Sequence, residues 1–492
     1  MTLATPPTSS PAGADAASDR LRHAYIETIG CQMNVYDSER MLESLSRAGY
    51  RRTDRPDDAD LIVINSCSVR ERAEHKMISM IGGYRTLKEH NPELVLAVSG
   101  CVASQEGEKL LRRAPSLDLV LGPDQVTQIG ELVGRVRDGR AEGARVRPVE
   151  VDFVDRHTYT FATPEAPQDG RVTSFITVMK GCNKFCSFCI VPMTRGREVS
   201  KPSADIVTEV EALVRAGVRE VTLLGQNVNS YGKDRMARDG SGELDFAGLI
   251  AAVAGVDGLE RIRFTTSHPM DCSDRLIAAF AEQPKLMPYF HLPIQSGSER
   301  VLRMMRRRTV VAEYEARIAS LRSLRPDLAM STDIIVGFPG ETEDDFAETM
   351  GLIERVGFAS IFSFAYSPRP GTAAARIDDD VPKAVKKRRL TELQALQAEI
   401  TARWMAGFEG QEVEVLFEGP STAHAAGEES AARMARIGML PQLMGRTPQN
   451  TKVNVETDDY FALRDWPGRL GRVRIDHVGR NSLTGTLLHL LP

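Results

Sequence analysis

Three cysteines that stand within eight residues constrain this chain more than any other feature of its sequence. They are Cys182, Cys186 and Cys189, separated by three and then by two residues. Cysteine thiolates are the usual ligands of four-iron clusters, and four of them would close the coordination of every iron. Zinc sites more often take four ligands from paired Cys or His residues, and no second pair follows nearby. We therefore predict a four-iron cluster with one open iron, rather than a zinc site or three unrelated thiols.

Three more cysteines, Cys31, Cys67 and Cys101, each follow a short apolar run. The runs cover residues 23–30, 61–66 and 94–100, and helix-like stretches cover residues 38–48 and 70–90. This alternation predicts parallel strands of a βαβ sheet, whose carboxyl ends meet at one edge. Open α/β sheets bind their ligands at that edge, so we predict that these cysteines hold a second cluster. Buried structural thiols are the alternative. Cys272 stands alone and is predicted to be a bystander.

The middle of the chain alternates strand-like runs with helical patterns. The runs cover residues 175–179, 221–224, 262–266, 289–294, 329–336 and 358–366. Six strands with crossover helices predict a parallel barrel or part-barrel, and polar residues at the strand ends would face its mouth. Five of these residues are candidates for binding a cofactor: Gln226, Asn227, Ser267, Gln295 and Ser296. Ordinary loop capping by polar side chains is an equal alternative for each of them.

The C-terminal part has a different pattern. An apolar stripe along residues 382–408 predicts a helix that docks on a neighbouring element. Short strand-like runs then follow at residues 412–417, 452–455, 471–477 and 483–490. These runs predict a small β-barrel. The sequence thus predicts an α/β protein with a parallel N-terminal domain, a partial (β/α)6 barrel and a small C-terminal β-barrel.

Charge and composition limit the function. The formal charge of −5 over 492 residues gives no general attraction to nucleic acid, so any RNA contact needs a local basic patch. No apolar stretch reaches the roughly 18 residues that a membrane span requires. The first 20 residues lack the basic start and the apolar run of a signal peptide. Seven cysteines without an export signal indicate a reducing, cytoplasmic location.

Several longer segments support a family resemblance. They read GCQMN at 30–34, NSCSVR at 65–70, GCVASQ at 100–105, KGCNKFCSFC at 180–189, PMTRGRE at 192–198, LGQNVN at 224–229 and TTSHP at 265–269. In this order, between residues 25 and 488, they resemble the radical-SAM methylthiotransferases, and among these the bacterial tRNA-2-methylthio-N6-dimethylallyladenosine synthase branch. The chain departs from that pattern in its longer N-terminal tail and in Met193, where members often have Tyr.

The resemblance implies a domain for each part of the chain. A disordered tail at 1–21 precedes a methylthiotransferase N-terminal domain at 22–137, a linker at 138–170, a radical-SAM core at 171–402 and a TRAM domain at 403–488. The TRAM domain is expected to grip tRNA, and residues 444–450 resemble its signature.

The resemblance also implies the reaction, in which the C2–H of N6-isopentenyladenosine beside the anticodon becomes C–SCH3. That carbon is unactivated, so acid–base residues alone would not suffice and the cofactors supply the chemistry. The implied cofactors are two [4Fe-4S] clusters and S-adenosyl-L-methionine (SAM). One SAM binds the open iron at Cys182, Cys186 and Cys189 to generate the radical, and another methylates sulfur at the Cys31, Cys67 and Cys101 cluster. The implied partners are tRNA, an external electron donor and a sulfur donor; a monomer is compatible with the sequence, which leaves the oligomeric state open.

Other candidate contacts are less specific. Gln32 and Asn34, beside Cys31, are candidates for the substrate side of the site. The basic runs 306–308 and 386–389 are candidate phosphate contacts, although solvated charge is the favoured interpretation. RNA binding by the C-terminal region would need one-sided clustering of basic residues such as Arg446, Lys452, Arg472 and Arg474.

Two alternative functions stay open at this stage. A related methylthiotransferase would act on threonylcarbamoyladenosine in tRNA or on an aspartate of a ribosomal protein. A protein of a different class would be a non-catalytic iron–sulfur carrier that binds RNA. Such a carrier would need neither the open-iron motif nor the polar residues at six strand ends.

Overall fold

The structure is a computed structural model that describes residues 21–68, 71–162, 170–239, 243–421, 440–459 and 461–492. The tail predicted at 1–21 therefore lies almost entirely outside the described residues. No helix in the described ranges is long and apolar enough to cross a membrane.

The N-terminal domain is a parallel sheet in the order β2-β1-β3-β4-β5-β6. Its strands are β1 (Arg22–Ile29), β2 (Tyr50–Arg52), β3 (Leu61–Ser66), β4 (Val95–Ser99), β5 (Leu119–Leu121) and β6 (Val149–Glu150). Its helices are α1 (Gln32–Arg47), α2 (Glu71–His90), α3 (Cys101–Glu106), α4 (Glu108–Arg113) and α5 (Ile129–Ala141). Alternate residues of β3 and β4 belong to two separate apolar cores, one on each face of the sheet. The three predicted strands are thus confirmed as β1, β3 and β4. Of these, β3 and β4 lie in the middle of the sheet and are buried along their whole length.

Three short strands of this sheet carry too few residues for a clear sequence pattern. They are β2, β5 and β6, of three, three and two residues. Because α5 and β6 extend beyond residue 137, the passage predicted as a linker contributes its first part to this domain.

The middle domain is an open parallel barrel. Its six main strands are β7 (Thr173–Thr177), β10 (Glu220–Leu224), β11 (Arg261–Phe264), β12 (Tyr289–His291), β13 (Ala329–Val336) and β14 (Ser360–Ala365). They form two three-stranded parallel sheets, which a parallel bridge between Ile262 and Leu286 connects. A short antiparallel pair follows β7, formed by β8 (Met179–Lys180) and β9 (Val199–Ser200). All six predicted strands are present, and the partial barrel is confirmed.

Helices cover the outside of this barrel. They are α6 (Val191–Thr194), α7 (Ser203–Arg215), α8 (Lys233–Asp239), α9 (Phe246–Ala254), α10 (Asp274–Glu282), α11 (Glu299–Met304), α12 (Val311–Leu324), α13 (Glu343–Val356) and α14 (Lys383–Ala406). The predicted docking helix is α14, and its two ends belong to different domains. Leu393 and Ile400 join the core of the parallel barrel, whereas Met405 joins the core of the C-terminal domain.

The C-terminal domain is a closed five-stranded barrel in the order β15-β16-β17-β19-β18. Its elements are β15 (Glu412–Pro420), β16 (Gln442–Arg446), β17 (Lys452–Glu456), α15 (Ala462–Asp465), β18 (Leu470–Val478) and β19 (Leu483–Leu490). Four of these strands were predicted. The segment that resembles the TRAM signature, residues 444–450, forms the end of β16 and the turn into β17. The strand β16 itself is not among the predicted runs.

Two arginines fasten this small barrel to the parallel barrel. Arg261 is 1% exposed and donates hydrogen bonds to the Arg446 carbonyl at 2.7 Å and to the Glu414 carboxylate at 2.9 Å. Arg263 donates to the carbonyls of Thr447 and Pro448 at 2.9 and 2.8 Å. Arg261 is the first residue of β11, and Gln449 of the small barrel donates to Asp327, which lies just before β13, at 3.1 Å. The small barrel therefore docks at the amino ends of these strands, opposite their carboxyl-end loops.

We predict that Arg261→Met loosens this junction. The change leaves the Arg446 carbonyl and the partly buried Glu414 carboxylate without their donor. Breaking a buried ion pair on one side costs on the order of 3 kcal/mol. Thermal unfolding should shift to lower temperature, and limited proteolysis should release the C-terminal barrel faster.

Arg464→Met is the matched control, because Arg464 is an exposed residue of the same barrel that contacts only nearby side chains in the described ranges, the Asp465 carboxylate and the Phe461 ring. It should leave the temperature of thermal unfolding and the rate of proteolysis nearly unchanged, because it removes no buried contact. Equal behaviour of the two variants would contradict the anchoring role of Arg261.

Candidate active site

The first cysteine loop follows β8 and is held by a close backbone contact. Gly181 has a φ of +75°, and a Cβ there would lie 2.0 Å from the carbonyl oxygen of Arg197. The Cys182 amide donates to the Gly196 carbonyl at 3.2 Å, and the Cys189 amide donates to the Cys186 carbonyl at 3.0 Å. Only glycine lets the backbone at position 181 come this close to the Arg197 carbonyl. The glycine before Cys182 therefore allows the cysteine loop to pack against residues 196 and 197.

Burial governs the chemistry of these thiols. It raises the pKa of Cys182 to about 12 and that of Cys189 to about 11. Without metal, both groups are therefore protonated thiols at neutral pH, and metal binding would release their protons. No three His, Cys, Asp or Glu side chains of the described ranges are placed to hold a single metal ion. A four-iron cluster takes each cysteine on a different iron, so its ligands need not converge on one point.

Arg307 lies against this loop. It is 5% exposed and donates to the Cys186 sulfur at 3.6 Å and to the Pro293 carbonyl at 2.6 Å. Its charge also lowers the pKa of the neighbouring His268, to about 2, although burial is the largest cause of that shift. The sequence interpretation of Arg307 as a phosphate contact is wrong, because its guanidinium is buried beside a cysteine sulfur.

The second basic run is also mostly internal. Lys386 is buried and pairs with Asp379 at 2.6 Å, and Arg389 is buried and pairs with Glu341 at 2.8 Å. The Arg389–Glu341 pair ties α14 to the loop after β13, whereas Asp379 lies in the segment just before α14. Neither the phosphate contact nor the solvated face expected from sequence describes these two residues.

Three of the five predicted cofactor residues present a buried polar atom that has no partner in the described structure. Gln226 accepts a hydrogen bond from the Gly181 amide through Oε1, but its Nε2 has none. Asn227 donates to Asp271 at 2.8 Å, but its Oδ1 has no partner, and neither does the Ser267 hydroxyl. Buried polar atoms are normally hydrogen-bonded. These three atoms therefore fit a polar cofactor bound at the mouth of the barrel, as SAM would be.

The other two predicted residues shape the loops instead. Gln295 has a φ of +79°, an uncommon conformation for a residue other than glycine. The Ser296 hydroxyl lies 3.2 Å from the Thr349 hydroxyl and accepts from the Ser298 amide at 3.1 Å. For Ser296 the geometry matches the loop-capping alternative.

Sequence reasoning missed a charged network beside the same loop. Asp271 accepts hydrogen bonds from Lys184 and Lys233, each at 2.7 Å, and from Asn227. Burial opposes ionisation of Asp271, but these donors hold its pKa below the usual value. Glu198 accepts from the Asn183 amide at 3.1 Å and so closes the cysteine loop. Its place at the end of the PMTRGRE segment was the one available signal. Cys272, next to Asp271, lies in the apolar core of the barrel, so it stays a predicted bystander.

The second set of cysteines comes together at the carboxyl edge of the N-terminal sheet. Cys31, Cys67 and Cys101 follow the adjacent strands β1, β3 and β4. The Cys31 and Cys67 side chains share a hydrogen bond. Two glycines allow this approach: a Cβ at Gly30 would lie 2.3 Å from the Cys67 Cβ, and one at Gly100 would lie 2.6 Å from the Ser66 carbonyl oxygen.

A pair of buried asparagines holds the base of this edge. The Asn34 amide donates to Asn65 at 2.8 Å, and the Asn65 amide donates to the Asn34 carbonyl at 2.8 Å and to Ser38. Asn34 is fully buried, so its structural role accounts for its position, and a substrate contact is not needed to explain it. Gln32 is exposed, and its predicted substrate contact stays a prediction.

Arg195 connects the two cysteine sets. It comes from the segment just after Cys189, donates to the Cys101 sulfur at 3.3 Å and forms an ion pair with Asp37 at 2.6 Å. The helix α6, which ends just before Arg195, packs against α3, which begins at Cys101. Both sets of cysteines therefore flank residues 190–195, at the junction of the N-terminal sheet and the parallel barrel. A cavity of about 50 Å³ lies at the same junction.

The electrostatic environment of the second set differs from that of the first. The hydrogen bond with Cys67 and the nearby Arg195 charge outweigh burial and lower the pKa of Cys31 to about 6. Cys31 is therefore largely a thiolate at neutral pH, whereas Cys182 and Cys189 are not.

Two family models match the chain. The one described as "Uncharacterized protein family UPF0004" matches residues 23–122, and the one described as "Radical SAM superfamily" matches residues 176–353. They cover the two domains that carry the cysteine sets.

Curated relatives match almost the whole chain. A protein of Myxococcus xanthus named "tRNA-2-methylthio-N(6)-dimethylallyladenosine synthase" is 47% identical over 96% of this chain and 95% of its own length. A protein of Geobacter metallireducens with the same name is 48% identical over 94% of this chain and 98% of its own length. Among solved structures, the radical S-adenosylmethionine methyltransferase TsrM from Kitasatospora setae has a TM-score of 0.53 at 13% identity, covering 82% of this chain and 79% of that one. The last likeness concerns the fold alone.

We predict that alkylation of the iron-free protein distinguishes the two cysteine sets. Because the pKa of Cys31 is lowered to about 6, its reaction with iodoacetamide should rise as the pH passes 6 and level off above about 7. Cys182 should stay nearly unreactive throughout, because its pKa is raised to about 12. Peptide mapping by mass spectrometry measures both rates in one sample.

Cys67→Ala is the control for the cause of this shift. It removes the hydrogen bond that contributes most to lowering the Cys31 pKa. The inflection for Cys31 should move to higher pH. An inflection above pH 8 in the unmodified chain would contradict the geometry of the pair.

Proposed function

This chain belongs to the family of tRNA-2-methylthio-N(6)-dimethylallyladenosine synthases within the radical SAM superfamily, and we propose on that basis that it converts isopentenylated adenosine in tRNA to its 2-methylthio derivative. The observation that carries this proposal is Arg195, which brings both cysteine sets to one junction. A reaction that forms C–S at an unreactive carbon needs a radical source and a sulfur source on the same base, and the two sets meet that need.

In this proposal each set of cysteines holds a [4Fe-4S] cluster. Cys182, Cys186 and Cys189 hold the cluster that leaves one iron open, and Cys31, Cys67 and Cys101 hold the second. When bound, the clusters and SAM supply the radical and the methylthio sulfur. The protein supplies thiolates, orientation and shelter from water.

The strand-end residues orient SAM. The free Nε2 of Gln226, the free Oδ1 of Asn227 and the Ser267 hydroxyl offer one donor, one acceptor and one group that does both. Gln295 and Ser296 contribute by fixing the loops that carry them. Burial holds the pKa of His268 low, at about 2, so its imidazole is neutral, and its Nδ1 accepts a hydrogen bond from the Met270 amide at 3.2 Å.

Further parts of the proposal concern partners and place. The enzyme works in the cytoplasm, where an electron donor and a sulfur donor supply each cycle. The names of the curated relatives favour isopentenyladenosine over threonylcarbamoyladenosine or a protein aspartate. A non-catalytic carrier would not need the unpartnered polar atoms at the barrel mouth.

The C-terminal barrel is proposed to bind tRNA through two cations. Lys452 lies on β17, and Arg472 lies on β18. The other two candidates are occupied, because Arg446 pairs with Glu418 at 3.1 Å and Arg474 pairs with Asp476 at 2.9 Å. Arg472 faces Glu414 across the β15–β18 pair, which limits the positive charge of this surface.

Nucleoside mass spectrometry tests the function and the division of labour. In cells that lack this chain, the 2-methylthio group should disappear from tRNA while the isopentenyl group is retained. The wild-type gene should restore it. A gene in which either cysteine set is replaced by alanine should not restore the 2-methylthio group.

Purified proteins distinguish the two sets. Wild type should bind about eight irons in two clusters, and each triple variant about half as many. The Cys31, Cys67 and Cys101 variant should still cleave SAM reductively, whereas the Cys182, Cys186 and Cys189 variant should not. Normal product from either variant would refute the proposal.

The tRNA-binding surface gives a separate prediction. The double variant Lys452→Ala with Arg472→Ala should weaken tRNA binding and flatten its salt dependence by about 0.7 to 0.9 in slope for each lost phosphate contact. Arg464→Ala, on the same domain but paired with Asp465, is the control and should bind like wild type. If the double variant keeps the wild-type slope of log K for tRNA against log salt concentration, Lys452 and Arg472 are not phosphate contacts and the RNA site lies elsewhere.

A further inference from the structure

In each set of candidate cluster ligands, one cysteine sulfur accepts a hydrogen bond from a buried arginine. Arg307 donates to Cys186 at 3.6 Å, and Arg195 donates to Cys101 at 3.3 Å. Both arginines are at most 5% exposed. They come from different parts of the chain, and neither belongs to a cysteine motif.

The two arginines differ in how their charge is balanced. Arg195 forms an ion pair with Asp37 at 2.6 Å, and both side chains are at least nine-tenths buried. Arg307 instead donates to the neutral carbonyl of Pro293 at 2.6 Å, and its Nε has no partner in the described ranges. The first set therefore lies beside a cation bonded to neutral groups, and the second beside a cation already paired with a carboxylate.

This difference bears on electron uptake. A cluster gains one negative charge when it takes up one electron, so a nearby positive charge and hydrogen bonds to its sulfurs favour the reduced form. A carboxylate next to the cation removes part of that effect. Partners of the ligands, as well as the ligands themselves, set the properties of a metal site.

We propose that Arg307 and Arg195 are positioning residues that set the relative reduction potentials of the two clusters, so that an electron from the external donor resides first on the cluster that binds SAM. Arg307 raises the potential of the Cys182, Cys186 and Cys189 cluster. The Arg195–Asp37 pair holds the second cluster at a lower potential than Arg195 alone would. This inference rests on the proposed function.

The test is a redox titration followed by electron paramagnetic resonance, without SAM or tRNA. Full-length triple-alanine variants serve as backgrounds, so that each protein holds one cluster. In the first-cluster background, Arg307→Met should reduce the equilibrium constant for reduction at least tenfold, which is about 59 mV for one electron. Arg307→Lys keeps the charge but not both hydrogen bonds, so it should shift the potential the same way by less.

The second-cluster background gives two changes of opposite sign. Arg195→Met should lower the potential, because it removes the donor to Cys101. Asp37→Asn should raise it, because it leaves the Arg195 charge unpaired. A merely structural role for the pair would not produce opposite shifts. Arg355→Met, which removes an exposed arginine paired with Glu315, is the charge control and should shift neither cluster.

Only variants that keep the full iron content of their background are compared in the redox titration. If Arg307→Met loses iron, Arg307→Lys with full iron takes its place. The inference is overturned if the iron-loaded Arg307 variant titrates within threefold of its background, or if Arg195→Met and Asp37→Asn shift the potential in the same direction. These outcomes are independent of the proposed function, which fails instead if the wild-type chain makes no methylthio product or if either triple variant makes normal product.

Discussion

The buried bond network around Arg195 is the constraint on which the rest of the site depends. Its guanidinium is bonded to Asp37 on α1 and to the Cys101 sulfur at the start of α3, while its backbone belongs to the segment after Cys189. A buried ion pair has little tolerance for separation, because either charge left alone would lose its solvation without compensation. The two domains can therefore open at this junction only at a high energetic cost. The second cysteine set stays next to the first for that reason.

The two cysteine sets are built on the same plan but differ in their electrostatics. The second set follows the carboxyl ends of three parallel strands, and the first set follows the short antiparallel strand β8, just beyond the carboxyl end of β7. Both rely on glycines whose Cβ would collide with backbone or with another cysteine. In the first set burial dominates, so the thiols are protonated until metal arrives. In the second set a thiol pair and a cation outweigh burial at Cys31. The same residue type thus meets two environments, and the arginine beside each set has a different counter-charge.

The C-terminal barrel sits at the other end of the molecule from this chemistry. It docks through Arg261 and Arg263 on the amino-terminal side of the parallel barrel, whereas the cysteines lie at the carboxyl side. An RNA that contacts both the small barrel and the cysteines would therefore extend along the parallel barrel. Within residues 444–450, which resemble the TRAM signature, three consecutive backbone carbonyls accept hydrogen bonds from those two arginines.

Local patterns in the sequence were enough to predict most of the strands and both sets of candidate ligands. Apolar runs of ordinary length predicted β1, β3, β4 and all six main strands of the parallel barrel, because burial of a strand leaves a local pattern. Cysteine spacing and strand-end position are also local, and they identified both thiol sets. Strands of two or three residues, β2, β5 and β6, escaped because they carry no pattern. The partners of five buried cations could be seen only in the fold: those of Arg195, Arg261, Arg307, Lys386 and Arg389. A charged side chain looks the same in sequence whether water or a buried carboxylate surrounds it. Its partner can lie 7 residues away, as Asp379 does from Lys386, or 158 residues away, as Asp37 does from Arg195. The fold alone brings the two together.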